Sequence, residues 1–199
     1  MGKQRDGGRT TPRRLGNAGR ERPWGLIIVG GILALVLIAF LAVVILDSRQ
    51  QTARTPPSDV ETFEVKQGHT DATVDYAQTP PAGGEHNPVW QNCGYYSEPV
   101  RNENAVHSME HGAVWITYQP DLPQDQIDTI KDMAENETYV LASPYQGLDS
   151  PVAASAWGKQ IKLQSADDSG LEQFISAYRQ GPQTPEPGAA CTGGTGQPG

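Results

Sequence analysis

The chain has 199 residues with 23 acidic and 15 basic side chains, a net charge of −8 when histidine is neutral. That balance excludes nucleic-acid binding over an acidic surface, because phosphate contacts need clustered Lys and Arg. The length suits one small globular domain beside any targeting segment.

Residues 1–23 are basic, with Lys3, Arg5, Arg9, Arg13, Arg14, Arg20 and Arg22 against Asp6 and Glu21. From Trp24 to Leu46 no charged or strongly polar side chain occurs, a run of 23 residues. At ~1.5 Å rise per residue this covers a hydrocarbon core of roughly 30 Å with some tilt, so a transmembrane helix over 24–46 is predicted. A cleaved signal peptide has a shorter apolar core, about 7–15 residues, and a small-residue cleavage site; here "LDSRQQ" follows instead. The positive-inside rule places 1–23 in the cytoplasm as a basic tail and the rest outside. Subtracting that tail's +5 from the total of −8 leaves −13 on the outer part. The expected partner is therefore the cell membrane, through a single anchor, with no nucleic acid. No protein partner is named by the sequence.

Residues 47–58, "DSRQQTARTPPS", form a polar linker ending in two prolines. An extracytoplasmic domain follows over 59–191, and the Gly-rich 192–199 is expected to be disordered. Strand candidates are 60–66, 113–119, 138–143 and 153–164. Ile127, Ile130, Met133 and Ala134 recur at helical spacing behind Pro123. Leu171, Phe174, Ile175 and Tyr178 mark a second helix, with Ser169 and Glu172 as a capping box and Gly181 as its stop. The expected fold is α+β: a small antiparallel-rich sheet with two helices packed on it, preceded by one transmembrane helix. The only cysteines, Cys93 and Cys191, both fall on the outer side and are expected to form a disulfide. Between the prolines and residue 99 lies a long loop dense in Gly, Pro and aromatics, the kind that is functional or pinned.

Four stretches, "PPAGGEHNP", "VHSMEHGAVWITY", "SPYQGLDSPVAASAWG" and the final Cys191, give the chain a resemblance to an uncharacterised bacterial family, domain of unknown function 3105. The resemblance spans roughly residues 60–191. It implies a small membrane-anchored or secreted protein and carries no established activity, so function has to come from the side chains.

"AVHSMEHGAVWITY" spells H-x-x-E-H just ahead of a strand candidate. As a helix from the Asn104 cap to the Gly112 stop, it puts His107, Glu110 and His111 on one face. As a strand it groups His107, Met109 and His111, a set suited to copper. The helix is preferred, because a strand from Ala105 to Tyr118 would be far too long. His86, behind the flexible pair Gly83 and Gly84, is the candidate third imidazole. His69, in polar "KQGHTDAT", reads as an ordinary surface residue. Trp115 and Trp157 are taken as core, and Trp90, Tyr95 and Tyr96 as loop pins or a ligand shelf. The leading function is a non-catalytic site for a transition metal, zinc or copper, on His86, His107, Glu110 and His111. The alternatives are a metal-dependent hydrolase and an interaction module whose histidines are structural. The protease form of the motif needs long packed helices and a distant third ligand, whereas Gly112 ends this helix at once.

Overall fold

A computed structural model describes residues 24–53 and 55–199; the predicted basic tail, 1–23, lies outside the described residues. The chain divides into two compact units after Leu46. The first contains most of α1 (Trp24–Ala53), whose stretch Ile27–Ile45 is exposed throughout and long and apolar enough to cross a membrane. The helix runs on into the residues expected as a linker.

The second unit is built on a six-stranded sheet: β1 (Glu61–Thr62), β2 (Gly94–Tyr95), β3 (Val114–Tyr118), β4 (Val140–Pro144), β5 (Val152–Ala156) and β6 (Lys159–Leu163). Their order is β1-β6-β5-β3-β4-β2. The β1–β6, β6–β5 and β5–β3 pairings are antiparallel, while β3–β4 and β4–β2 are parallel. The sheet is therefore mixed rather than mainly antiparallel. The cause is α3 (Gln124–Asn136), which fills the connection from β3 to β4. A strand–helix–strand crossover returns the chain in its original direction, so the second strand can pair parallel with the first. The expectation of two helices is corrected as well. α2 (Asn102–Glu110), α3 and α4 (Ser169–Tyr178) all belong to this unit.

Both faces of the sheet are covered, which is why its central strands are buried at every position. Val114, Ile116 and Tyr118 of β3 and Val140 and Ala142 of β4 pack with Ile130 of α3 and Leu171, Phe174 and Ile175 of α4. The alternate residues, Trp115 and Leu141, meet Ala105, Val106 and Met109 of α2, together with Trp157. α2 is thus an internal helix, buried from Glu103 to Glu110.

Several ends differ from the sequence expectation by a residue or more. α4 is capped by Asp168, whose carboxylate accepts from the Gly170 amide at 2.8 Å, so Ser169 is already helical. Left-handed backbone after α4 falls on Gln180 (φ 52°), not Gly181. The 60–66 candidate shrinks to Glu61–Thr62, and 153–164 is a hairpin, β5 and β6, turning through Trp157 and Gly158. Residues 192–199, expected to be disordered, lie along the 90–95 segment. There the Thr195 amide donates to the Trp90 carbonyl at 2.9 Å and Gly199 to Tyr95 at 3.1 Å. Cys93 and Cys191 are disulfide-bonded, with Cα atoms 5.4 Å apart.

Candidate metal centre

α2 supplies the middle of the site. His107, Glu110 and His111 sit at i, i+3 and i+4, and the helix ends at once because Gly112 takes φ of 98°. The extended alternative, with Met109 beside the imidazoles, does not occur: Met109 is buried among Val106, Trp115 and Leu141.

The 84–92 loop is bonded down onto α2. The Asn87 and Gln91 amides donate to the Glu103 and Asn104 carbonyls at 3.2 and 3.0 Å, and the Ser108 hydroxyl donates to the Gln91 carbonyl at 2.6 Å. The long loop is therefore pinned, and the pinning delivers His86. A short parallel bridge pairs His69 with His86, the Thr70 amide donating to the His86 carbonyl and the His86 amide to Gly68. Gly83 and Gly84 precede it with φ of 131° and 127°. A Cβ on Gly83 would come within 2.8 Å of the Val65 side chain, so the close approach expected of these glycines is present.

The chain has four histidines, and all four rings meet here. His69 lies 4.8 Å from His86 and 5.0 Å from His107 between ring centroids, His86 lies 4.9 Å from His107, and His107 lies 4.5 Å from His111. Donor atoms of His69, His86, His107 and Glu110 all fall within 4.8 Å of one another, a group that can hold a metal ion. Glu110 Oε2 is 2.9 Å from His86 Nε2 and 3.6 Å from His69 Nε2, while its Oε1 accepts from Gln67 at 3.2 Å. His86, His107, Glu110 and His111 are buried, and His69 forms the open edge with half its side chain exposed.

Backbone carbonyls set the chemistry of three rings. Nδ1 of His86 lies 2.7 Å from the Gly84 carbonyl, Nδ1 of His107 lies 2.6 Å from that of Asn87, and Nδ1 of His111 lies 2.7 Å from that of Ala190. A carbonyl can only accept, so each Nδ1 carries a proton, and the Nε2 atoms are turned to the centre: those of His107 and His111 toward each other and that of His86 toward Glu110. Fixing the far nitrogen in this way is the outer-layer arrangement of ligating histidines. Burial pushes the His107 imidazole below the ordinary histidine range. The Asn87 carbonyl opposes that shift, His111 and His86 add to it, and Glu110 opposes it.

Of the residues proposed from sequence, His86, His107 and Glu110 come together, and His111 stands beside His107 with its Nε2 3.0 Å from that of His107. His69 was missed; its setting in a polar stretch gives no periodicity, and only the bridge to His86 brings it inward. Glu186, 3.6 Å from His111 Nε2, was also missed, because it sits in a Pro-rich segment far along the chain. Trp157 of the hairpin turn meets His86 edge-on at 5.7 Å, and Trp90 packs 5.0 Å from His111.

No curated protein and no solved structure matches the chain. A family model described as "Protein of unknown function (DUF3105)" matches residues 68–193, which takes in all four histidines, Glu110 and both cysteines. The chain belongs to that family.

Proposed function

We propose that this is a membrane-anchored protein whose extracytoplasmic domain holds a transition-metal ion, zinc or copper, and does not itself catalyse a reaction. The carrying observation is that donor atoms of His69, His86, His107 and Glu110 lie within 4.8 Å of one another with His111 against His107, while Nδ1 of His86, His107 and His111 each donates to a backbone carbonyl. Two neutral structural histidines would not be expected to set their Nε2 atoms 3.0 Å apart, as His107 and His111 do. A nitrogen and oxygen donor set without sulfur suits a borderline divalent ion. The anchor is residues 24–46, with the basic end inside and the domain outside, and the disulfide agrees with an oxidising compartment.

The test is the metal content of tag-free, full-length protein purified in detergent and dialysed, compared with a His86→Ala/His107→Ala variant. Stoichiometric metal in the parent and none in a variant of unchanged circular dichroism is expected. Equal, substoichiometric metal in both would leave the histidines structural and the domain an interaction module. Turnover of ester or peptide substrates by the loaded chain would move the reading to a metal-dependent hydrolase.

A further inference from the structure

The Nε2 atoms of His107 and His111 face each other at 3.0 Å. Both rings already donate from Nδ1, to Asn87 and Ala190. With both rings neutral, neither Nε2 has a proton to give, so two lone pairs oppose each other at hydrogen-bond distance. A cation accepting both lone pairs satisfies that contact. Glu110 Oε2, by contrast, approaches His86 and His69, at 2.9 and 3.6 Å.

One Nε2 lone pair serves one ion. Ligand bonds of about 2.0–2.1 Å gather donors no more than roughly 4.2 Å apart, even across an ion. The group of His69, His86, His107 and Glu110 already spans up to 4.8 Å without His111. At their present spacing one ion does not contact all of these donors at bond length, and His111 lies outside the group altogether.

We propose that the centre takes two divalent ions of the zinc or copper(II) class: one on His69, His86 and Glu110, the second on the His107–His111 pair closed by Glu186. This rests on the metal-binding reading above. Glu186 Oε2 lies 3.6 Å from His111 Nε2, and its side chain is half exposed. Its amide donates to the Glu110 carbonyl at 3.1 Å, which holds the second carboxylate beside the first. Each position then pairs neutral imidazoles with one carboxylate. Trp90 packs beside the second position, 5.8 and 5.0 Å from the His107 and His111 rings.

Titration of metal-free, full-length protein in detergent with copper(II) alone tests this, read as bound copper per chain after desalting and by electron paramagnetic resonance. Two ions per chain are expected, with a spectrum broadened by coupling between neighbouring centres. His111→Ala, and independently the surface change Glu186→Gln, should each remove one equivalent and leave an uncoupled single-copper spectrum. Glu186→Gln keeps the test open should His111→Ala fail to fold. One ion per chain in the parent would overturn the second position while leaving the first. Two ions that survive both substitutions would overturn its assignment to this pair. No bound copper at all would remove the metal reading itself.

Discussion

His107 is held neutral by its surroundings, and that has a thermodynamic consequence for the metal-free chain. In the unfolded state its imidazole takes a proton near the ordinary value of about 6.5. In the fold, burial keeps that affinity lower. Between the two values the unfolded chain binds more protons, so stability rises with pH there and falls as pH drops below about 6.5, levelling once the folded ring itself protonates. Urea unfolding of the metal-free protein should therefore show a lower midpoint at pH 5.5 than at pH 7.5. Substituting His107 by Gln should flatten that dependence, and an unchanged slope would contradict the role given to this ring. Glu103 acts in a lower window. Burial pushes it up, but the Val74 amide and the Arg101 guanidinium outweigh this and hold it below the usual carboxylate range. Its contribution is thus lost only in stronger acid. At this scale His107, Glu110 and His111 were legible because H-x-x-E-H carries its own spacing, and His86 because Gly83 and Gly84 mark a loop that folds close to a neighbour. His69 was not, because nothing local distinguishes a histidine in a polar loop from one drawn inward by a distant partner.

α2 works because it is short and stops abruptly. Gly112 at φ 98° lets the chain leave the helix straight into β3, and its carbonyl accepts from the Gln180 amide at 2.9 Å. The Gln180 side chain donates to the His111 carbonyl and accepts from Gly188. A Cβ at 112 would collide with that side chain and lie 3.1 Å from Thr184 Cγ2. Gly112→Ala should therefore cost about 1–3 kcal/mol from backbone strain alone. On the metal-binding reading proposed above, it should also weaken metal retention by displacing His111, as judged by denaturant unfolding alongside metal content. Stability and retention both equal to the parent would show that the glycine is dispensable. The helices were legible through their periodic apolar positions, and the H-x-x-E-H turn through its cap and stop. The sheet's direction was misread even though β3, α3 and β4 stand in the order that permits parallel pairing. β2 could not have been found: two residues carry no periodicity, and their pairing with β4 is settled by the loop around them.

For the whole molecule the first question is retention. Ile27–Ile45 exposes its apolar side chains along its length, and such a helix is stable only in lipid or an equivalent apolar surround. The full-length protein should stay with membranes through high-salt and carbonate washes. A soluble form beginning near residue 47 would show instead that the segment is a cleaved signal. On the domain side, the disulfide closes a loop of 98 positions, worth roughly 4–5 kcal/mol in the chain-entropy model. Its second effect is one of timing. The carbonyl that fixes the His111 tautomer belongs to Ala190, the residue before Cys191, and the segment carrying Glu186 is part of the same strap. Before the thiols join, hydrogen bonds such as that from the Glu186 amide to the Glu110 carbonyl at 3.1 Å are what remain to hold the strap against the centre. On the topology proposed above, a newly made chain on the reducing side of the membrane would carry all the donors without the covalent hold of the disulfide. On the function and topology proposed above, oxidation after export would add that hold, so metal would be taken up from the outer compartment's supply rather than from the one in which the chain was synthesised.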